Sequence, residues 1–290
     1  MSGLHPFSIL LQKGKSSMKK RKTLFLSIVF AVVAICLILY PLIGNLMSEK
    51  HHSDLQTVYT SAVEETDAKD LTAAYEAAAA YNALLADGIS NAPMAAYADL
   101  LNVTGSGIMG YVDIPSLGIN LPVCHGTDAE TLERAVGHVM GTSLPVGGAG
   151  THSVLSAHSG MSVNRLFSDI DKLNKGDVFL IHVLDQTLAY EVDQIAVVEP
   201  TDTSKLQIEN GKDYVTLVTC TPFGVNTHRL LVRGHRTEVP EVKLLAADTE
   251  VSAPIASTWM QHYLIGLGIS VGSLALLIGG YFIIRRRRKS

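Results

Sequence analysis

Hydrophobic positions follow three patterns along the chain. From Leu24 to Gly44, LFLSIVFAVVAICLILYPLIG runs 21 residues without a charge. At ~1.5 Å rise per residue this spans the ~30 Å hydrocarbon core of a bilayer as one helix. A second uncharged run, YLIGLGISVGSLALLIGGYFII, extends from Tyr263 to Ile284. Between them, residues 45–86 are rich in good helix formers, with Tyr75, Ala78, Ala79 and Asn82 at helical spacing. One or two helices are predicted there, ending near Asp87-Gly88. After Gly105 the period shortens to two. MGYVDIPSLGINLPV, THSVLSAHSG, GDVFLIHVLDQTLAYEVDQIAVVEP, DYVTLVTC and HRLLVRGHR alternate Val, Ile, Leu and Thr with polar residues, and Pro and Gly cut them at short intervals. That pattern predicts a closed β barrel or a β sandwich. DAETLERAVGHV and NRLFSDIDKL are predicted as short helices between strands, the second capped by Asn164.

Charge orients the apolar runs. Residues 1–44 carry six Lys/Arg and no acid, and the tail RRRRKS carries five more. Basic flanks stay in the cytoplasm, so both ends are predicted inside and the middle outside. A cleaved signal peptide is the rival reading of the first run. The run exceeds the ~7–15 apolar residues usual for a signal, and no A-x-A site follows it. The outer part then holds 12 basic and 27 acidic residues, a net of −15. Such a surface excludes a nucleic-acid partner, while the basic ends suit the lipid bilayer.

Chemistry enters at TLVTCTPFGVNTHRLLVRG, Thr216–Gly234. Alternation along the strand puts Cys220 on the face shared by Thr216 and Val218. If the next strand folds back as a hairpin, Arg229 lies beside Cys220. A cation favours the thiolate, and a guanidinium fork can hold an oxygen that becomes negative during acyl transfer. The leaving amine needs a proton carrier. Of the nine histidines in the outer part, His158 has the best setting, at the end of SVLSAHSG beside a glycine. His182, within FLIHVL, reads as packing. His51-His52 lacks the further ligands of a zinc site. No calcium loop is recognisable, so no metal and no cofactor are expected. Cys36 falls in the first apolar run. Only Cys124 and Cys220 lie outside, and a disulfide between them would consume the nucleophile.

TLVTC resembles the TLxTC signature of sortases, whose catalytic Arg follows the Cys by a short loop and whose catalytic His ends a strand well upstream. The resemblance extends from about Asn82 to Arg236, through MGYVDIPSLGINLPV, HGTDAETLERAVGHVMGTSLPVGG, THSVLSAHSG, LAYEVDQIAVVEP and DYVTLVTCTPFGVNTHRLLVRGHR, and is to class C, the pilin-polymerising sortases. It implies a mainly β protein: a sortase-type closed barrel of about eight strands with short helices, a helical extension with a lid, and two flanking transmembrane helices. It implies Cys220, His158 and Arg229 as catalytic residues. The substrates implied are pilin or surface-protein precursors bearing an LPxTG-like signal, cleaved between Thr and Gly through a thioacyl enzyme and transferred to a pilin lysine. Transfer to peptidoglycan, and a non-catalytic tethered binding domain, are the alternatives. Two departures stand out. Where the class has an Asp-Pro-aromatic lid motif, this chain has Asp87-Gly88-Ile89. Asp87 is expected to meet Arg229, and Ile89 to cover Cys220 without a ring. Cys124 stands where relatives often have Tyr and is expected to be a small buried residue. The expected division is 1–23 cytoplasmic, 24–44 transmembrane, 45–104 extension and lid, 105–237 barrel, 238–261 linker, 262–284 transmembrane and 285–290 cytoplasmic.

Overall fold

The computed structural model describes residues 6–88, 94–159, 164–239, 265–270 and 272. Helix α1 is Pro6–Glu65, 60 residues without interruption. The membrane-span candidate and the first part of the extension are therefore one helix, continuous past Gly44, where separate elements were expected. Among the described residues it is the one helix long and apolar enough to cross a membrane. Most of the second apolar run lies outside the described residues. Helix α2, Ala68–Ala86, ends with Asp87 as its C-cap and Gly88 at φ +75°, the left-handed turn that glycine adopts freely.

Eight strands follow: β1 Ile108–Ile114, β2 Ile119–His125, β3 Val136–His138, β4 Thr151–Ser156, β5 Val178–Val183, β6 Gln186–Val198, β7 Asp213–Thr221 and β8 His228–Thr237. They close into a barrel in the order β1-β2-β3-β4-β7-β8-β6-β5. The β2/β3 and β4/β7 pairs are parallel and the others antiparallel. Strand direction thus gathers the exits of β1, β4, β6 and β7 and the entries of β2, β3, β5 and β8 at one end, here the upper end. Leu155, Phe179, Ile181, Leu217 and Val232 fill the interior. Two glycines allow backbones to close on their neighbours. A Cβ at Gly110 would stand 2.2 Å from the His182 carbonyl oxygen, and one at Gly234 would stand 2.7 Å from the Phe179 ring.

Asp128 caps helix α3, Ala129–Arg134, by accepting from the Thr131 N–H. The expected helix over NRLFSDIDKL is instead a series of turns with a single 3₁₀ turn at Ile170–Lys172. Leu166 takes φ +38°, which breaks α geometry. Asn164 does not cap; its side-chain amide donates to the Glu133 carbonyl at 2.9 Å.

Helix α1 descends along the barrel. Near the upper end, His52 Nε2 donates to the Arg134 carbonyl at 2.8 Å, just before the entry of β3. At the lower end, the buried Tyr59 hydroxyl donates to the Met109 carbonyl at 2.9 Å and accepts from the Leu184 N–H at 2.8 Å. Helix α2 then closes the underside. The Asn82 amide clasps Leu144, donating to its carbonyl at 3.0 Å and accepting from its N–H at 2.6 Å. Ala86 sits 3.8 Å from where a Cβ on Gly150 would lie, at the entry of β4.

Buried imidazoles are held neutral. His138 is fully buried, donates from Nε2 to the Ser143 carbonyl at 2.8 Å and faces the Tyr97 hydroxyl with Nδ1, also at 2.8 Å. Burial pulls its pKa down to about 4. His182 stacks on Tyr111 with ring centroids 4.2 Å apart, and burial lowers it likewise to about 4.

Two outcomes are expected. Tyr59→Phe keeps the ring but orphans the buried Leu184 N–H. It should cost about 1–3 kcal/mol of stability, read by chemical or thermal unfolding. The unfolded chain binds protons near the ordinary histidine pKa, while folded His138 and His182 do not until about 4. Stability should therefore fall as pH drops from about 6.5 towards 4, by on the order of 3 kcal/mol for fully buried His138. Unfolding midpoints measured across that window check it.

Candidate active site

Strand register gathers the three candidate residues. In β4/β7, Ser156 pairs with Val218, and the Ala157 N–H donates to the Val218 carbonyl at 3.1 Å. Continuing two residues places His158 level with Cys220. In β7/β8, Cys220 faces Arg229 directly. His158, Cys220 and Arg229 thus form a row across three neighbouring strands, each step ~4.8 Å.

The row lies on the outer face of the sheet, not within a barrel mouth. Leu155, Val215, Leu217, Leu230 and Val232 belong to the interior. Their alternates Val154, Val218 and Leu231 join Val198 in a separate outer cluster, against which Val139 and Leu206 pack. Cys220 follows Val218 by two residues and shares that face, with the apolar cluster as the floor beside it. His228 pairs with Thr221, so alternation turns it to the other face; its Nε2 lies 3.3 Å from Glu199.

Short contacts fix the row's backbone. The Ser159 hydroxyl donates to the Cys220 carbonyl at 2.6 Å, and the Phe167 N–H donates to the His158 carbonyl at 3.1 Å. Arg229 Nη1 donates to the carbonyls of His228 at 3.0 Å and Asn226 at 3.3 Å. Among the described residues Arg229 makes no ion pair, so no carboxylate neutralises its charge there. All three residues are half-buried, within reach of both the sheet and an incoming chain. A thiol, an imidazole and a guanidinium so arranged can carry out acyl transfer: attack at a carbonyl, protonation of the leaving amine and stabilisation of the oxyanion.

Sequence reading did not anticipate the wall of this site, formed by the β6–β7 connection. His152 Nδ1 donates to the Gln207 carbonyl at 2.9 Å, leaving Nε2 to accept from the Thr216 hydroxyl at 2.7 Å. Arg233 grips Asp193 through a fork of 3.0 and 2.9 Å, reaches Glu209 at 3.3 Å, and lies 4.0 Å over the Tyr214 ring. The sequence signal was there in Ser159, directly after His158, and in the even spacing, four residues, of Arg229 and Arg233 on one strand face.

Asp87 falls elsewhere. It is exposed and caps α2 at the lower end, beside the entry of β4, while His158 stands past the exit of β4 and Cys220 is the next-to-last residue of β7. At ~3.3 Å per residue that is a separation of about 20 Å, and no Asp87–Arg229 ion pair exists among the described residues. The reason is tertiary: the Asn82–Leu144 clasp directs α2 beneath the barrel. Ile89 lies outside the described residues. Cys124 is a free thiol packed against the core, and burial pushes its pKa up to about 11. Cys124 pairs with Gly137, whose own partner is Ser156, beside Val218 of β7. Three strand steps, ~14 Å along the sheet, keep it beyond the ~7 Å Cα limit of a disulfide with Cys220. The described residues hold no group of three or more His, Cys, Asp or Glu side chains placed to bind a metal.

Alkylation of the whole chain at pH 7.5, mapped by mass spectrometry, should therefore modify Cys220 rapidly and leave Cys124 at least about 10-fold slower, because only the thiolate reacts. Cys220→Ala should remove the fast phase. Asp87→Ala should leave the rate at Cys220 unchanged; a faster rate would return Asp87 to the site.

Residues 112–237 match the model of the sortase domain family. The fold is similar to the crystal structure of sortase C1 from Streptococcus agalactiae, 43% identical, covering 66% of this chain and all of that one, with a TM-score of 0.62. It is also similar to sortase C of Clostridium perfringens, solved with the C-terminal cell wall sorting motif: 44% identical, covering 64% of this chain and all of that one, TM-score 0.58. Sortase D of Bacillus subtilis (strain 168) is 31% identical over 130 residues, 44% of this chain and 63% of that protein, so the chain spans less than two thirds of that relative. On this barrel, this row of side chains and these likenesses, the chain belongs to the sortase family of cysteine transpeptidases, in class C.

Proposed function

We propose that the chain is a membrane-anchored transpeptidase that joins pilin subunits. The Cys220 thiolate attacks the threonine carbonyl of an LPxTG-like signal. The Thr–Gly bond breaks, His158 gives its proton to the departing glycine amine, and a thioester remains on Cys220. Arg229 holds the signal and the oxyanion. A lysine amine on the next pilin attacks the thioester and gives a proton to the now neutral His158, an isopeptide bond forms, and the thiolate returns. The observation that carries this reading is the alignment of His158, Cys220 and Arg229 across β4, β7 and β8. The sorting motif bound by the Clostridium perfringens relative supports a signal of that kind, and class C membership supports the lysine acceptor. The apolar helix α1 supports membrane attachment. Two spans, Leu24–Gly44 and 262–284, with an outer catalytic barrel and both ends cytoplasmic, complete the proposed arrangement, and the basic flanks of each run support it.

Cleavage of an LPxTG peptide by the full chain should vanish in Cys220→Ala and nearly vanish in His158→Ala. It should fall ~10²–10³-fold in Arg229→Ala, the usual cost of an oxyanion donor. Near-wild-type rates in any of these would remove that residue's role. Offering the acyl enzyme a pilin and a wall-peptide amine in parallel decides the acceptor, and consumption of only the wall peptide would overturn the pilin assignment.

A further inference from the structure

The structure assigns the catalytic end of the barrel to the headgroup layer of the bilayer that α1 crosses, with the β7–β8 turn as its point of contact. This rests on the reading of α1 as a membrane span. The argument begins with direction. Tyr59 is fixed at the lower end of the barrel by Met109 and Leu184. His52, seven residues nearer the membrane, is fixed at the carbonyl of Arg134 near the upper end. The helix is unbroken, so its apolar segment leaves the barrel at the upper end, where the exits of β4 and β7 carry His158 and Cys220.

Height follows from helix geometry. Glu49 is the first charged residue after the apolar run that ends at Gly44. At ~1.5 Å per residue it stands about 7.5 Å beyond the hydrocarbon boundary, at the outer edge of the headgroups. Glu49 is close enough to Arg165 for its carboxylate to act on that guanidinium, opposing the effect of burial. Arg165 is in turn held by Asp169. Two residues on from Arg165, the Phe167 N–H donates to the His158 carbonyl. One short segment therefore links the first charged turn of the membrane helix to the catalytic histidine, so the reacting groups lie close to the level of the lipid phosphates.

The surface at that end fits the assignment. Phe223 is 70% exposed and Val225 65% exposed, both in the turn directly after Cys220. An aromatic and a branched aliphatic side chain held out together suit the interface, where rings and apolar side chains sit at headgroup depth. A catalytic groove at that depth meets substrates whose cleavage point emerges from the same bilayer.

The test uses the full chain in lipid vesicles. Trp259 is its single tryptophan. In a Trp259→Phe background, tryptophan is introduced by Phe223→Trp or Val225→Trp at the turn, or by Gln186→Trp at the lower end. Lipids brominated high on the acyl chain serve as the quencher. Because interfacial side chains reach ~5–10 Å into the boundary, emission from either turn variant should fall by about twofold, and emission from the Gln186→Trp variant should not change. If the protein floats with the vesicles but neither turn variant is quenched, or the Gln186→Trp variant is quenched instead, the assignment is overturned while membrane attachment stands. If turn emission instead responds only to an LPxTG peptide, the turn belongs to the substrate and the lipid assignment is likewise overturned. If the chain does not float, the membrane reading fails as well, a separate and visible result. The two turn positions are exposed, so failure of one variant to fold leaves the other to decide.

Discussion

The structure depends on one strand pairing. β4 and β7 run parallel and in register, with Ser156 opposite Val218, and the placement of His158 level with Cys220 follows from that alignment. Parallel neighbours are far apart in sequence, here separated by β5 and β6, so their register cannot be set by a tight turn. It is set by the alternation of buried residues. Leu155 and Leu217 face the interior while Val154 and Val218 face outward. A slip of one residue would bury the thiol's face and expose the core. The same hydrophobic constraint that stabilises the barrel therefore aligns an imidazole with a thiol.

Polar groups around this pairing are arranged to hold geometry. His152 bridges the β6–β7 connection to Thr216, and Arg233 ties that connection to the sheet through Asp193 and Glu209. Desolvation is offset by paired charges and hydrogen bonds, which pin the connection beside the groove. By contrast, burial pushes the half-buried Cys124 thiol out of the reactive range. Two cysteines in one domain thus meet different surroundings.

Much of this was legible in the residues. Period-two alternation gave the strands, and local geometry followed from it: a cysteine at a strand end, a short turn and an arginine facing back across a hairpin. His158 was singled out by its place at a strand end before a glycine, and the strand in fact ends two residues earlier, at Ser156. What could not be read were placements decided by tertiary contacts. Asp87 occupies the position in the chain expected of a lid residue, yet the clasp between Asn82 and Leu144 directs its helix beneath the barrel. Asn164 has the chemistry of a cap, but the Glu133 carbonyl claims its amide. The continuity of α1 past Gly44 was hidden because the apolar run ends there, whereas the helix carries on without a break to Glu65.

That continuity has a mechanical meaning. An enzyme hung from a flexible stalk can turn freely, and only its distance from the anchor is constrained. Here the stalk is itself a regular helix docked at both His52 and Tyr59, so azimuth is transmitted along it as well as height. Adding a single residue between Gly44 and His52 would turn the barrel by about 100° relative to the apolar segment of α1 while lifting it only ~1.5 Å. Evolutionary insertions in that stretch would thus act as a rotational adjustment, favouring steps that restore whole turns.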